Sequence, residues 1–488
     1  MSEKQLSRRS FLRNAGIAGL ATLLAGCAPK IVEVTKLVEK EKIVEKEKVV
    51  KETVVVKEQV EKKVEVTKIV EKEKIVEKIA TSAAAPLPKS SIRFGFPGWG
   101  QSFCEIVVSQ FLAVQPNVSV AMEPLAEPFV DKIFTMAAAG TTPDSQWLAD
   151  AHVIPLASNK VMLDMTPLAE ADPENPLPDI YPIMLGLGKF QNGLYMIAWA
   201  ADAPVMYYNK TLFEKAGLPV PDPMGMKVQD FQLACQKITN EKEQTYGTSM
   251  PHSWWAVYVP WMVGYGGQFY NEDKSKVVID SPQCIEACQA LADLYCKYKG
   301  AVPPGANLGG DPFIMGKAAT MLGNRMSCNS IRTANVKFEW NVCLPPIQPV
   351  KHTCGAGTMG PGVSVAAKTR GNEVVAWKLS STIAKPATQK HFARAYLAIP
   401  VLMSLAKDPS WYEAPPPPAN RDVFLEIPKR AITPPNPKNN DCGTVYLGET
   451  ADIMNTSWEK MVIGCEPASK ILPDAAKRIN DCIARGGK

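Results

Sequence analysis

The feature that most constrains the fold is a low-complexity segment near the N terminus. Residues 31–79 are almost only Val, Ile, Lys and Glu, with apolar pairs spaced six apart, such as Ile43-Val44 and Val49-Val50. Six residues turn an α-helix by about 600°, so successive pairs line no single face and specify no coiled-coil seam. We interpret the segment as a solvated spacer, helical in part or whole; an oligomerisation module is the alternative. The folded region is then expected behind a small-residue linker, Thr81 to Ser90, and to begin at Ile92.

An export leader precedes the spacer. Paired arginines in Ser7–Arg13 resemble a twin-arginine signal, and a short apolar run separates them from Leu24–Cys27, which resembles a bacterial lipobox. These motifs predict a signal peptide over residues 1–26 and lipid (palmitate) attachment at the Cys27 thiol. The protein is then expected on the outer face of the cytoplasmic membrane, in the periplasm or at the cell surface. An ordinary cleaved signal or N-terminal helix is the alternative.

Net charge and length limit the class of protein to which the rest of the chain can belong. The leader and residues 28–80 account for the whole net charge of +5, so the rest of the chain is neutral. A neutral body argues against a nucleic-acid partner, because such proteins carry a basic footprint. About 400 residues remain, enough for two packed domains, and no further apolar run reaches membrane-spanning length.

The number and spacing of the cysteines indicate which of them could be free thiols and which could form disulfides. The chain has twelve Cys, and setting Cys27 aside leaves an odd number, which in an exported protein indicates at least one free thiol. Cys284 and Cys288 share a helix predicted from Pro282 to Lys299, and residues four apart on a helix are poorly placed for a disulfide. The sequence leaves the disulfide pattern open.

Strands and helices alternate where the folded region begins. Ser91 to Trp99 reads as a strand, followed by a helix from about Glu105 to Val114 and a second strand over Pro116–Met122. A helix over Phe129–Ala139 comes next and stops at Gly140. This alternation predicts βαβ units with a mostly parallel sheet, in which ligands bind where the strands end.

Five further blocks carry a family resemblance. The most specific is Tyr207–Pro219, which reads Tyr-Tyr-Asn-Lys, then Phe-Glu-Lys-Ala-Gly-Leu-Pro after two residues. With the other blocks, the chain from about Ile92 resembles extracellular solute-binding proteins of family 1, the sugar-binding receptors of ABC importers that include maltose-binding protein. The other blocks are Ala139–Asp144, Gly193–Ile197, Phe313–Met321 and Ala376–Leu379 with Ile399–Val401.

The resemblance implies an α/β, periplasmic-binding-protein-like (type II) fold of two lobes joined by a hinge, with the Val/Glu/Lys stalk ahead of it. The expected division is a signal peptide over 1–26, a lipid-anchored stalk and linker over 27–90, and two lobes. Lobe 1 is expected over 91–200 plus about 360–430, and lobe 2 over 201–359 plus about 431–488. A solute would bind in the cleft between the lobes.

Aromatic and polar residues near predicted strand ends are the candidate ligand-binding residues. Aromatic faces suit the C–H faces of a sugar, and polar groups suit its hydroxyls. Helical spacing makes lobe core the competing interpretation for Tyr258 and Trp261. Arg325 suits a carboxylate, a phosphate or a pair of hydroxyls, with a salt bridge as the alternative. The candidates are Phe96, Trp99, Asp144, Trp147, Trp199, Asp202, Trp254, Trp255, Asn324, Arg325 and Gly360.

Catalysis, metals and cofactors have little support. The four His are scattered without zinc spacing, and no nucleophile-elbow or phosphate-loop motif occurs. Gly355–Gly360 matches the dinucleotide pattern Gly-x-Gly-x-x-Gly, but Pro361 and a predicted strand over Gly362–Ala366 follow it instead of a helix. We expect no catalytic residue, no metal and no cofactor.

The leading hypothesis is therefore a lipid-anchored receptor of an ABC importer. It would capture a carbohydrate or related polyol, perform no catalysis, and deliver the solute to the permease subunits. Two tryptophans common in sugar binders are absent, one after Pro219 and one after Met321. This keeps two alternatives open: a receptor for a polyamine or other non-sugar solute, and a structural surface lipoprotein with a degenerate cleft.

Overall fold

The structure is a computed structural model that describes residues 86–126, 129–201, 204–395, 398–412, 418–438 and 442–486. The predicted leader, Cys27 and the stalk as far as residue 85 lie outside the described residues, as do Asp202 and the side chain of Trp99.

Two four-stranded sheets define two lobes. The sheet of lobe 1 has the order β11-β3-β1-β2, in which β1 runs parallel to β2 and β3, while β11 is antiparallel to β3. Its strands are β1 (Ser90–Pro97), β2 (Val118–Leu125), β3 (Ser145–Ala149) and β11 (Met359–Val363). The parallel βαβ start predicted from the sequence is therefore present in lobe 1.

The sheet of lobe 2 is more mixed. Its order is β7-β8-β6-β9, with β7 parallel to β8 and β6 antiparallel to both of its neighbours. Its strands are β6 (Val205–Asn209), β7 (Tyr246–Thr248), β8 (Ala318–Gly323) and β9 (Trp340–Cys343). Two short pairs complete the strands: β4 (Lys189–Phe190) with β5 (Gly193–Leu194), and β10 (Cys354–Gly355) with β12 (Ala431–Ile432).

Helices surround both sheets. Those before β6 are α1 (Gln101–Val114), α2 (Phe129–Ala138), α3 (Asp150–Ser158), α4 (Thr166–Glu170) and α5 (Pro182–Leu187). Those from β6 to β9 are α6 (Lys210–Lys215), α7 (Val228–Ile238), α8 (Trp255–Gly264), α9 (Pro282–Cys296) and α10 (Arg325–Thr333). Those after β11 are α11 (Val365–Thr369), α12 (Glu373–Ser381), α13 (Pro386–Arg394), α14 (Pro409–Tyr412), α15 (Asp422–Glu426), α16 (Glu449–Val462) and α17 (Ala468–Arg485).

Side-chain patterning explains how these helices pack. α17 buries Ile471, Ala475 and Ile479, whose spacing of four places them on one face, and that face packs into the core of lobe 2. α8 is apolar nearly all round and is buried on almost every side, including Tyr258 and Trp261. The competing interpretation of these two residues as lobe core is thus confirmed.

Two disulfides fasten the C-terminal part of lobe 2. Cys296, the last residue of α9, bonds Cys465 between α16 and α17, and Cys442 bonds Cys482 near the end of α17. Seven further cysteines among the described residues are free and buried, Cys284 and Cys288 among them. The prediction of a free thiol is confirmed, and so is the expectation that Cys284 and Cys288 do not pair.

Several element boundaries differ from the sequence predictions, and two of the differences have a clear physical reason. α1 begins at Gln101, before the predicted Glu105, because Phe103 and Cys104 add an apolar face to its first turn. The strand predicted over Gly362–Ala366 was placed wrongly. β11 ends at Val363, and the Ser364 hydroxyl caps α11 by accepting from the Ala367 N–H.

Candidate functional site

A cavity of about 330 Å³ opens where β1 and β3 end. Lobe 1 supplies most of its wall, from Pro97 at the end of β1 and Trp147 to Ala149 in β3. Lobe 2 contributes Leu447, which precedes α16. The cavity therefore lies at the carboxyl ends of the parallel strands, where this kind of sheet binds ligands.

Asp150 begins α3 directly after β3, between Ala149 and His152, which both line this cavity. Its carboxylate accepts hydrogen bonds from the N–H groups of Ala151 (2.7 Å) and Thr358 (3.0 Å). It also accepts one from the Tyr446 hydroxyl at 3.0 Å. Burial raises the pKa of Asp150 to about 6, even though each of these hydrogen bonds acts to lower it.

The bond from Tyr446 to Asp150 crosses between the lobes. Tyr446 packs edge-on against Trp255 at the start of α8, with ring centroids 5.5 Å apart. Burial, together with the charge of Asp150, raises the pKa of the Tyr446 phenol well above its usual value, so the phenol stays protonated and donates. Lobe 1 and lobe 2 are thus joined by a partly buried hydrogen bond that would break if the lobes separated.

A short loop presents Tyr446. The Thr444 N–H donates to the Leu447 carbonyl at 2.8 Å, and the hydroxyl and N–H of Thr450 both donate to the Cys442 carbonyl. The disulfide from Cys442 to Cys482 fastens this loop to α17. The loop that reaches across the cleft is therefore held rigidly to the body of lobe 2.

Aromatic rings form the floor of the cavity. Trp147 lines it, and Trp199 packs behind Trp147 with ring centroids 5.9 Å apart. Phe103 lies within 6 Å of both indoles. The buried Nε1–H of Trp147 has no hydrogen-bond partner among the described residues. The Trp147 side chain therefore contributes an apolar surface to the cavity, while its Nε1–H is turned into the protein interior.

Polar groups line the rim. Asp131 in α2 and His152 in α3 both face the cavity. The His152 Nδ1 accepts from the Ala149 N–H at 3.2 Å. The described lining therefore offers the Asp131 carboxylate, the His152 imidazole and an apolar floor.

Of the predicted lobe 1 residues, two are held away from the cavity. Phe96 is buried in the core next to Phe94. Asp144 stands at the opposite, amino end of β3 and is only 1% exposed, paired with the Arg370 guanidinium at 2.9 Å. Its other oxygen accepts from the Arg93 N–H at 2.8 Å. The carboxylate of Asp144 is thus committed to the interior of lobe 1.

The four predicted lobe 2 residues that the structure describes are not among those that line the cavity. Trp254, at the start of α8, is 37% exposed, and its neighbour Trp255 is buried against Tyr446. Asn324 precedes α10, and its carbonyl accepts from the Tyr207 hydroxyl. Arg325 is 1% exposed, with its guanidinium over the rings of Trp411 and Phe424.

Gly360 allows β11 to pack closely against the backbone of a neighbouring segment. It lies in β11 opposite Leu148, and a Cβ at this position would collide with the Ile197 carbonyl. The close approach expected for this glycine is therefore to the neighbouring chain segment and not to a solute. Trp99 and Asp202 cannot be placed, because the side chain of Trp99 and the whole of Asp202 lie outside the described residues.

Sequence reasoning missed Asp150, Tyr446, Asp131 and His152. A signal existed for Asp150, because it follows β3 directly and begins a helix at the strand end. Tyr446 had none, since it lies 296 residues further along the chain and only folding brings the two together.

No metal or membrane-spanning element is found in the described part of the chain. It contains no group of three or more His, Cys, Asp or Glu that could hold a metal ion. None of the described helices is long and apolar enough to cross a bilayer.

Comparison with known proteins gives one family. The family model described as bacterial extracellular solute-binding protein matches residues 107–419. The sn-glycerol-3-phosphate-binding periplasmic protein of Agrobacterium fabrum is 24% identical over 57% of this chain, a match that spans 64% of the relative's own length. A putative binding protein of Brucella abortus is 22% identical over 78% of this chain and 90% of its own.

Solved structures share the fold. An ABC substrate-binding protein of Listeria monocytogenes in complex with cycloalternan has a TM-score of 0.72 and 22% identity, covering 81% of this chain and 99% of its own. A Mycobacterium tuberculosis protein in complex with glycerophosphocholine has a TM-score of 0.68 and 20% identity, covering 81% and 98%. The two-lobe α/β fold predicted from the sequence is confirmed.

Proposed function

The chain belongs to the bacterial extracellular solute-binding proteins, and from that premise we propose that it captures a carbohydrate or related polyol for an ABC importer. The observation that carries this proposal is the cavity between the lobes with the Asp150–Tyr446 hydrogen bond across its edge. A solute that favours the closed arrangement of the lobes would be held by differential affinity for that state. The protein performs no reaction on its solute.

The chemistry of the cavity suits a polyhydroxylated solute. The Trp147 side chain gives the cavity an apolar surface for the C–H face of a sugar. The Asp131 carboxylate at the rim can accept from hydroxyls. The relatives named for glycerol 3-phosphate and the fold neighbours solved with cycloalternan or glycerophosphocholine support a solute rich in oxygen.

Anchoring and delivery complete the proposal. The twin-arginine leader would export the chain, Cys27 would carry the lipid, and the stalk would separate the lobes from the membrane. The closed receptor would then hand its solute to the permease subunits of the importer. The family model supports export of a solute-binding protein; the leader motifs support the anchor.

The test is a thermal-shift panel of sugars, polyols and polyamines on the full chain, purified in a detergent without a sugar headgroup. A solute at a hundred times its dissociation constant should stabilise the fold by about 2.7 kcal/mol. A shift with one sugar or polyol class would support the proposal. Shifts with polyamines alone would replace the solute class, and a flat panel on folded protein would favour a structural lipoprotein.

A further inference from the structure

A loop of lobe 2, residues 442–448, reaches the cavity that lobe 1 mostly encloses. Among the described residues that line this cavity, Leu447 is the one that lobe 2 supplies. The loop leads directly into α16, and its residue Tyr446 donates to Asp150 of lobe 1 at 3.0 Å. A solute in the cavity would therefore meet Leu447 on the side of lobe 2.

The backbone of this loop is tightly folded and fastened. Gly443 has a φ of +77°, a value that favours glycine, and a Cβ there would collide with the Leu447 carbonyl. The same carbonyl accepts from the Thr444 N–H at 2.8 Å. The disulfide from Cys442 to Cys482 joins the base of the loop to α17. The loop therefore holds Leu447 in one place, and a solute cannot easily push it aside.

Successive side chains of the loop have different surroundings. Val445 is buried in the core of lobe 2, and the Tyr446 ring packs against Trp255. Leu447 is 36% exposed and belongs to the wall of the cavity. Its side chain is therefore available for contact with a solute, while its two neighbours fix the loop to the protein.

The cavity is small for a ligand site. Its volume of about 330 Å³ lies at the lower end of the roughly 300–1,000 Å³ typical of such sites, which suits a mono- or disaccharide. Trp147 and Leu148 belong to the buried strand β3, so their part of the wall cannot recede. Room for a longer solute depends on the part of the wall outside the core, and Leu447 is such a residue.

We propose that Leu447 sets the size limit of the solute, so that the cavity accepts a mono- or disaccharide and excludes longer carbohydrate chains. This inference rests on the proposed function and adds a specificity-determining residue to it. In an apolar pocket, a difference of one methylene group changes selectivity by about tenfold or more. A Leu side chain that a fastened loop holds in the wall can therefore discriminate between solutes that differ by a whole sugar ring.

Homologous carbohydrates test the inference on the full chain. The monomer, dimer, trimer and tetramer are compared in three series: α-1,4-linked glucose, β-1,4-linked glucose and β-1,4-linked xylose. Dissociation constants are measured by calorimetry, in a detergent without a sugar headgroup. In a series that binds, we expect the monomer or dimer to bind most tightly, and the trimer to bind about tenfold more weakly than the dimer.

Two variants assign the size limit to Leu447. In Leu447→Ala, the penalty of the trimer relative to the dimer should shrink severalfold, because the wall recedes. In Leu447→Phe, the dimer should also weaken relative to the monomer. The matched control is Leu233→Ala, the same change at a 49% exposed position of α7, which should keep the wild-type ratios. Because ratios within a series are compared, a general weakening by a disturbed loop does not imitate a changed size limit.

The outcomes separate the size limit from the receptor function. A trimer that binds wild type as tightly as the dimer, or ratios that stay unchanged in both Leu447 variants, overturns the inference and leaves the receptor function standing. The same conclusion holds if no member of the three series binds while another solute of the panel does. If nothing in the series or in the panel binds, the proposed function fails, and this inference fails with it.

Discussion

At the scale of single residues, the cleft depends on Asp150 and its partner Tyr446. The carboxylate is fixed by the backbone N–H groups of Ala151 and Thr358, so the phenol of lobe 2 meets an acceptor that is already oriented. The hydrogen bond of 3.0 Å joins the start of α3 in lobe 1 to the loop before α16 in lobe 2. Two variants and a pH series test this account.

Tyr446→Phe removes the hydroxyl and keeps the ring against Trp255. Because the lost bond exists only while the lobes are together, solute affinity should fall about tenfold by calorimetry, the value of one hydrogen bond to a charged group. Tyr412→Phe is the matched control, since Tyr412 donates to Asp422 at 2.8 Å on an exposed surface. Equal affinity in wild type and Tyr446→Phe would contradict the account.

The raised pKa of Asp150 predicts a pH dependence. The folded protein prefers the protonated carboxyl, so the contribution of Asp150 to the free energy of unfolding is largest below pH 4 and is lost as pH rises through about 6. Measured against Asp150→Asn, wild-type stability should improve by up to ~2 kcal/mol between pH 7.5 and pH 4 in chemical denaturation. A difference that is constant with pH, or that runs the other way, would refute this assignment.

The sequence predicted some of these residues and not others, for identifiable reasons. Trp147 was predicted as a ligand-binding residue because aromatic faces suit a sugar, and the structure places it in the middle of β3 on the cavity wall. Asp144 was a plausible candidate at the wrong end of the same strand. Its partner Arg370 lies 226 residues away, and no local pattern reveals that pairing. Arg325 was recognisable in the sequence as a cation. The two rings that lie against its guanidinium, Trp411 and Phe424, come from residues much later in the chain, so no local pattern predicts them.

At the scale of elements, the disulfide from Cys442 to Cys482 anchors the Tyr446 loop. The sequence predicted the helix that begins at Pro282, although α9 ends at Cys296 and not at the predicted Lys299. It left the disulfides open, since eleven cysteines allow many pairings and only the packing of α17 against the loop selects one.

Replacing Cys442 and Cys482 together by Ser should therefore affect binding as well as stability. We expect the free energy of unfolding to fall by about 2–4 kcal/mol and solute affinity to weaken, because the loop loses its anchor. The control is Cys296→Ser with Cys465→Ser, a pair that does not hold this loop. That control should lose stability while keeping its affinity. An equal loss of affinity in both double variants would show that the loop has no special role.

At the scale of the whole molecule, the proposed capture of a solute and the proposed anchoring belong to separate parts of the chain. The neutral lobes carry the cleft, and the charged spacer ahead of them has no pattern for packing against a partner. Deleting residues 31–79 should therefore leave the solute dissociation constant within about twofold, because no cleft residue is removed. Calorimetry on the shortened and full chains compares them. A loss of binding on deletion would contradict the spacer interpretation.

The most direct measurement locates the solute. The best carbohydrate or polyol from the panel is titrated calorimetrically into wild type, Trp147→Phe and Trp458→Phe. Both tryptophans are buried with an unpartnered Nε1–H, but Trp458 packs on Tyr258 in the core of lobe 2, away from the cavity. We predict one solute per chain, about tenfold weaker binding in Trp147→Phe, and unchanged binding in Trp458→Phe. Unchanged affinity in Trp147→Phe would contradict binding in this cleft.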